Sequence, residues 1–311
     1  IVTANNMSTV KPAGPIRELQ GYWQPGDRAA RIEELLDEGQ AWNIEQLKAV
    51  QFDDRAYAAP AIVSEVLNLL NNSGAAFSPL EQKAIQTLEQ WDYRHDAGSP
   101  GAAIYQTLCP FILQHALRDE MGETVFAIYG SLADNWNFFK YFIHEDQSPL
   151  WNDINTPVAE TRREVVLRAF QDTVARLDEI LGPNAAQWTW GALHTIEFQH
   201  PYGYVPIMRG IFNIGPFPSS GAAEVVNNML YLGGSHDFRV IAGPSTRRLI
   251  DYGAPEHSLC VLPTGNSGNF TSPHYDDQAE MFVSGRYREI RFTPEQIAAH
   301  RVHEMRFESA R

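Results

Sequence analysis

Cysteine is scarce in this chain. Two in 311 residues, Cys109 and Cys260, cannot build a disulfide framework, fit no zinc spacing and do not fix a redox compartment. Positive charge is scarce too: 24 Lys and Arg face 38 Asp and Glu, a net charge of −14. A nucleic-acid partner calls for the reverse, and no basic run or arginine–aromatic interleaving compensates. No apolar run approaches the roughly 18 residues of a membrane span. The chain also lacks HExxH, a G-x-S-x-G elbow, a P-loop and a dinucleotide fingerprint. Neither an internal repeat nor a low-complexity tract appears, and the residues that follow Ile1 do not read as a signal peptide.

What remains is an ordinary globular composition, 44% hydrophobic and 20% charged, long enough for one large or two medium domains. Helix signals crowd the first part. Asp27 is a good N-cap, followed by a stripe of Ile32, Leu35 and Leu36 with Gly39 as the stop. Asn43 with Gln46 reads as a capping box, and a third helix covers about 58–70. Ser78-Pro79-Leu80-Glu81 is the sharpest start, with Leu80, Ala84, Ile85, Leu88 and Trp91 at helical spacing. Ser99-Pro100 opens another helix, kinked or broken near Pro110. Thr156-Pro157 opens a long one whose stripe runs from Val158 to Leu181, ended by Gly182-Pro183. About 25–182 is therefore expected to be mainly helical and about 186–295 mainly strand and turn.

The second part centres on WTWGALHTIEFQHPYG at 188–203. At period 2 one face carries Trp188, Trp190, Ala192, His194, Ile196, Phe198 and His200, which predicts a long half-buried strand ending in a turn. His194 and His200 share that face but lie roughly 20 Å apart at strand rise, so they read as two separate structural histidines. Ile1–Ala4 read as a short strand that needs the later ones to pair with. One interwoven body, with the helices inserted between strands, follows.

Several residues invite chemical readings. The Ile-Val start is shared with activated trypsin-like proteases, yet Gly265-Asn266-Ser267-Gly268 lacks the aspartate that precedes their serine. His236-Asp237 and His274-Tyr275-Asp276-Asp277 would suit a metal-dependent hydrolase, against the plainer reading of loop hydrogen bonds. Ser267 as a nucleophile competes with a glycine-asparagine loop. A non-catalytic binding module with a helical arm is a further alternative. Asn5-Asn6 closes the first strand, so one carboxamide can enter a cavity while the other supports the loop. An asparagine NH2 aimed at a developing oxyanion is an established catalytic device.

Six segments change the weighting: IVTANN at 1–6, GDRAARIEELL at 26–36, WDY at 91–93, WTWGALHTIEFQHPYG at 188–203, GPFPSSG at 215–221 and LPTGNSGNFTSPHYDDQAEMFVSGRY at 262–287. In that order they span nearly the whole chain, which resembles the penicillin acylase family of N-terminal-nucleophile hydrolases. The resemblance implies an α+β chain forming part of a four-layer αββα sandwich with a helical insertion. It implies hydrolysis of linear acyl amides of the penicillin, cephalosporin or acyl-homoserine-lactone type by an N-terminal serine. Residue 1 is Ile, so the chain is expected to be the C-terminal part of the large chain, cut from an autoproteolytically processed precursor and inactive alone. Its partners would be the N-terminal remainder of that chain and the small chain, in the periplasm or outside the cell. By position Asn5 matches the oxyanion-hole side chain and Arg28 an arginine beside the active site. No cofactor is implied for catalysis. A structural calcium is, mostly through residues outside this chain, because Glu18 is the one acid before Asp27.

Overall fold

The strongest local signals of the helical half are realised residue by residue. A computed structural model describes residues 2–9, 11–37, 41–132, 135–234 and 236–309. In it α1 spans Asp27–Asp37, α2 Ile44–Gln51, α3 Ala59–Asn71 and α4 Pro79–Glu89. Asn43 and Gln46 cap α2 reciprocally, as Ser78 and Glu81 cap α4. Each box satisfies two backbone donors that the first turn leaves open. Then come α5 (Pro100–Gly130), α6 (Asn135–Phe142) and α7 (Arg162–Leu181). Their apolar faces share one core with α3 and α4, in which Ile62, Leu70, Leu88, Ile104, Ile112 and Phe170 are fully buried.

Three expectations about these helices need correction. α5 runs through buried Pro110 and leaves helical angles only at Gly122 (φ 68°, ψ 164°), where a glycine bears a positive φ without a Cβ clash. α7 starts five residues later than expected. Thr161 and Glu164 form its capping box, and Val158, intended for its stripe, is 71% exposed. In α1 the buried residues are Asp27, Ala29 and Arg31, while Ile32, Leu35 and Leu36 are only half-buried. This helix docks through charge. Arg31 grips Asp53 with two hydrogen bonds of 3.0 Å, and Lys140 reaches Asp27 at 2.7 Å. Gly39 lies outside the described residues.

The long strand expected over 188–203 does not form. Trp190–Leu193 make a short helix, α8, and the strand β1 covers only Thr195–Phe198. The backbone gives the reason. Trp190 N donates to Ser99 O and Gly191 N to Ala97 O, so those donors go to the loop before α5 instead of a neighbouring strand. A Cβ on Gly191 would stand 2.8 Å from Pro218 and 2.9 Å from Ala97, so only glycine admits this approach. Trp188 and Trp190 are fully buried, their indoles donating to Gly182 O and Gly221 O.

All seven strands among the described residues are short and lie between Thr195 and Glu289. They form three antiparallel sheets. β1 pairs with β2 (Ile214–Pro218), and β3 (Leu230–Leu232) with β4 (Asp237–Ala242). The third sheet runs β5 (Arg247–Leu249), β6 (Leu259–Val261) and β7 (Arg288–Glu289). The expected strand at the amino terminus is absent among the described residues, so nothing there pairs with these sheets: Ala4–Asn6 form a bend.

The Arg31–Asp53 pair is enclosed, with side chains 10% and 5% exposed. Removing one partner of such a pair strands the other charge and typically costs about 3–5 kcal/mol. Asp53→Ala should lower the thermal midpoint accordingly, and Arg31→Met with Asp53→Leu should restore most of it. Equal midpoints for Asp53→Ala and the parent protein would contradict this account.

Candidate functional site

The bend at the amino terminus sets Asn5 at φ +63°, a left-handed conformation that asparagine tolerates better than most residues. The turn is held from both sides. Asn6 Oδ1 accepts from Ala4 N at 3.0 Å, and Asn5 O accepts from Gln24 N at 2.9 Å. Sequence reasoning put the two asparagines on opposite faces of a strand end. The structure instead divides them by partner: Asn6 serves its own turn, whereas Asn5 looks toward α1.

Arg28, at the start of α1, supplies that partner. Its Nη2 donates to Ala4 O at 2.7 Å and to Asn5 Oδ1 at 2.9 Å. A guanidinium has no acceptor, so the atom facing it must be the carboxamide oxygen. The Asn5 NH2 group is thereby turned away from Arg28, on an exposed residue, with both hydrogens free of that bond. Burial lowers the Arg28 pKa. Asn5 and Arg28, read separately from the sequence, are thus one hydrogen-bonded unit.

Beneath it lies a polar network that sequence reasoning missed. His95 Nδ1 faces the carbonyl of Asp54 at 3.2 Å, so Nδ1 carries the proton and Nε2 is the acceptor. Gln106 Nε2 donates one hydrogen to His95 Nε2 at 2.7 Å and the other to Glu224 Oε1 at 2.6 Å. Gln106 Oε1 accepts from the Tyr231 hydroxyl. All four side chains are buried. Burial holds His95 down at about 3 and pushes Glu224 up to about 7. Asp54 is raised to about 6 by burial, against the opposing pull of Arg94 at 2.8 Å. The network reaches the amino-terminal site through a small cavity lined by Gln24, Asp27, Arg28, Trp136 and Glu224 among others. The available signal was a lone polar residue inside an apolar run: Gln106 in AAIYQTLC and Glu224 in AAEVV.

The other candidates stand apart in loops. His274 pairs with Asp277 at 2.9 Å, and Asp237 binds Arg239 two residues away. Among the described residues no three His, Cys, Asp or Glu side chains converge on a point that could hold a metal ion, so the metal-dependent alternative finds no support. Ser267 Oγ accepts from Asn269 N within its own turn. His194 and His200 have separate backbone partners, Phe238 O across the chain and Tyr202 N two residues on. Cys109 is buried, its thiol pKa raised by desolvation.

Comparison with known proteins identifies relatives of the chain. The family model for penicillin amidase matches residues 1–299. The acyl-homoserine lactone acylase QuiP of Pseudomonas aeruginosa is 27% identical over 332 residues, covering 95% of this chain and 38% of that protein. The penicillin G acylase of Escherichia coli is 22% identical, over 92% of this chain and 35% of that one. The chain therefore spans less than two fifths of these relatives. Among solved structures, a thermostable penicillin G acylase from Alcaligenes faecalis superposes with a TM-score of 0.51 at 13% identity, over 98% of this chain and 56% of that one. That likeness supports an α+β fold of the N-terminal-nucleophile hydrolase kind.

Glu224 and His95 act on stability with opposite sign. Glu224 is raised from 4.5 to about 7. Between those values the folded protein keeps a proton that the unfolded chain releases, so stability from this group falls as pH rises. His95 is lowered from 6.5 to about 3, and its contribution falls as pH drops through that range. Glu224→Gln removes the first effect and keeps the second. The melting temperature of this variant, relative to the parent protein, should climb between pH 4.5 and 7. A difference that stays level over that range would mean that Glu224 ionises normally.

Proposed function

Because this chain belongs to the penicillin amidase family, we propose that it is the C-terminal part of the nucleophile-bearing large chain of an acyl-amide hydrolase. The observation that carries this reading is the Arg28 clamp on the Asn5 carboxamide oxygen, at 2.9 Å. It presents a preorganised NH2 donor pair at a site where an oxyanion can form. Coverage of only 38% of the P. aeruginosa relative supports the view that the nucleophile lies on further chain.

The chemistry then runs as follows. A serine at the amino terminus of the large chain, outside this sequence, attacks the carbonyl of a linear acyl amide. Its own α-amino group, with an ordinary pKa of about 7.7–8.0, takes the hydroxyl proton, so no histidine is needed. The carbonyl oxygen gains negative charge and accepts from Asn5 Nδ2, in a bond that strengthens as the charge grows. The protonated amine gives its proton to the leaving nitrogen as the C–N bond breaks. Water releases the acid from the acyl-enzyme by the same route in reverse.

Arg28 acts through Asn5. Its guanidinium fixes the carboxamide rotamer and, by binding Ala4 O as well, the turn that carries it. The substrate class suggested by the relatives is an acyl-homoserine lactone or a penicillin-type amide, both linear acyl amides. Processing of a precursor, a small-chain partner, and a periplasmic or secreted location belong to the same proposal. A structural calcium, held mostly by residues outside this chain, belongs to the same proposal and enters no step.

The test uses the complete processed enzyme and a panel of chromogenic acyl amides. Removing one oxyanion donor typically costs about 10²–10³ in kcat, or roughly 2.7–4 kcal/mol. Asn5→Ala should show that loss with little change in KM. Arg28→Ala removes the one nitrogen that donates to both Asn5 Oδ1 and Ala4 O, and should lower kcat by a smaller factor. Asn6→Ala should lower the melting temperature before it lowers kcat. Full kcat in a folded Asn5→Ala enzyme would refute the oxyanion assignment.

A further inference from the structure

One side of α6 faces the amino-terminal site. The buried aromatic residues of this helix, Trp136, Phe139 and Phe142, fix it in the helical core. Phe142 stacks on the Trp151 ring at 4.0 Å, and Trp136 packs against Phe139 and Tyr105 at 5.7 and 5.8 Å. Residues four apart share a helix face, so Lys140 lies on the same side as Trp136. Trp136 borders the small cavity that Asp27 and Arg28 also line, and Lys140 Nζ donates to Asp27 Oδ2 at 2.7 Å. The two side chains of this pair are only 11% and 7% exposed.

The way α1 is docked gives this contact its weight. Ile32, Leu35 and Leu36 are only half-buried, and the start of the helix is held by two ion pairs one turn apart, Lys140 on Asp27 and Arg31 on Asp53. Arg28 lies in the turn between them. Its Nη2 alone serves Ala4 O at 2.7 Å and Asn5 Oδ1 at 2.9 Å. Both acceptors are uncharged, so no charge-assisted bond anchors the guanidinium there. It stays where the turn that carries it puts it. A hydrogen bond weakens steeply beyond about 3.2 Å, so a shift of that turn by ~1 Å breaks the clamp. Misplacement on that scale can cost up to about 10²-fold in rate. Arg31 restrains the far end of the turn, and Lys140 the end that adjoins Arg28.

We propose that Lys140 is a positioning residue for the oxyanion site: through Asp27 it fixes the first turn of α1 and thereby holds the Arg28 guanidinium on the Asn5 carboxamide oxygen. The proposal rests on the functional reading above for the role of Asn5. Lys140 acts on the carbonyl chemistry at two removes, by way of Arg28 and Asn5. Its loss therefore weakens a bond that matters most as charge develops on the substrate oxygen, and should lower kcat while leaving KM nearly unchanged.

The test uses the complete processed enzyme carrying Lys140→Met together with Asp27→Asn. Removing both charges avoids the unpaired buried carboxylate that Lys140→Met alone would leave, and paired replacement of this kind is often close to neutral for stability. The thermal midpoint should stay near that of the parent enzyme. On a chromogenic acyl amide kcat should fall about 10-fold, with KM changed by less than about twofold. In an Arg28→Ala background the same two substitutions should change kcat by less than about twofold, because the residue they act through is gone. A crystal structure of the Lys140→Met, Asp27→Asn enzyme should show the bond from Arg28 Nη2 to Asn5 Oδ1 broken. A midpoint that falls together with kcat, an equal loss of kcat with and without Arg28, or an unmoved Arg28 clamp would each overturn the proposal. Parent-level kcat beside a slow Arg28→Ala enzyme would overturn it too and leave the functional reading standing. Full kcat in both Asn5→Ala and Arg28→Ala refutes the functional reading instead, and the crystal structure then decides by itself whether Lys140 holds the clamp.

Discussion

One carboxamide, that of Gln106, holds together parts of the chain that are far apart in sequence. It reaches His95 before α5, Glu224 between the two hairpins and Tyr231 on β3, and it uses every hydrogen-bonding function of its head group except one acceptor lone pair. Buried polar groups are costly unless satisfied, and a complete set fixes one arrangement against its competitors. The helical core can slide on apolar contacts alone. It cannot slide past these three bonds without stranding a carboxylate and an imidazole away from water.

The aromatic groups around this network follow from the same constraint. Trp190 packs against His95, His194, Tyr231 and Phe238, so both histidines lie in an indole-lined, water-poor setting. That environment lowers the pKa of His95 to about 3 and of His194 to about 4. Neutral imidazoles suit positioning, since each ring then has one donor and one acceptor of fixed identity. His95 donates to Asp54 O and accepts from Gln106, an order that protonation would break.

Charge organises the edge of the same body. Arg31 on Asp53, Lys140 on Asp27 and Arg94 on Asp54 attach α1 and the 53–54 turn to the helical core. Buried pairs of this kind add little net stability compared with apolar packing, but they tolerate few alternative geometries. The result sets Arg28 and its neighbours at one mouth of the interior, where the amino-terminal turn docks. The family likeness and the solved relative concern the α+β fold; the Asn5–Arg28 unit is what this chain itself adds to a catalytic reading.

The sequence determined whatever depends on neighbours within a few residues. The capping boxes at Asn43 and Ser78 bond three positions along the chain, and Gly182 at φ 84° ends α7 where the sequence placed the stop. Motif order also made Asn5 and Arg28 legible as candidates, though not as partners. Tertiary structure decided the rest, for identifiable reasons. The period-2 pattern over 188–200 describes alternating burial, but the carbonyls of Ala97 and Ser99, some ninety residues away, captured the backbone donors that a strand would have used. Pro110 did not break α5, and Gly122 did, because apolar packing on both sides of Pro110 outweighs one lost helical bond. Gln106, Glu224 and His95 carry no local signature linking them. Their shared role arises only where three distant segments meet, and no short-range pattern encodes a meeting that burial enforces.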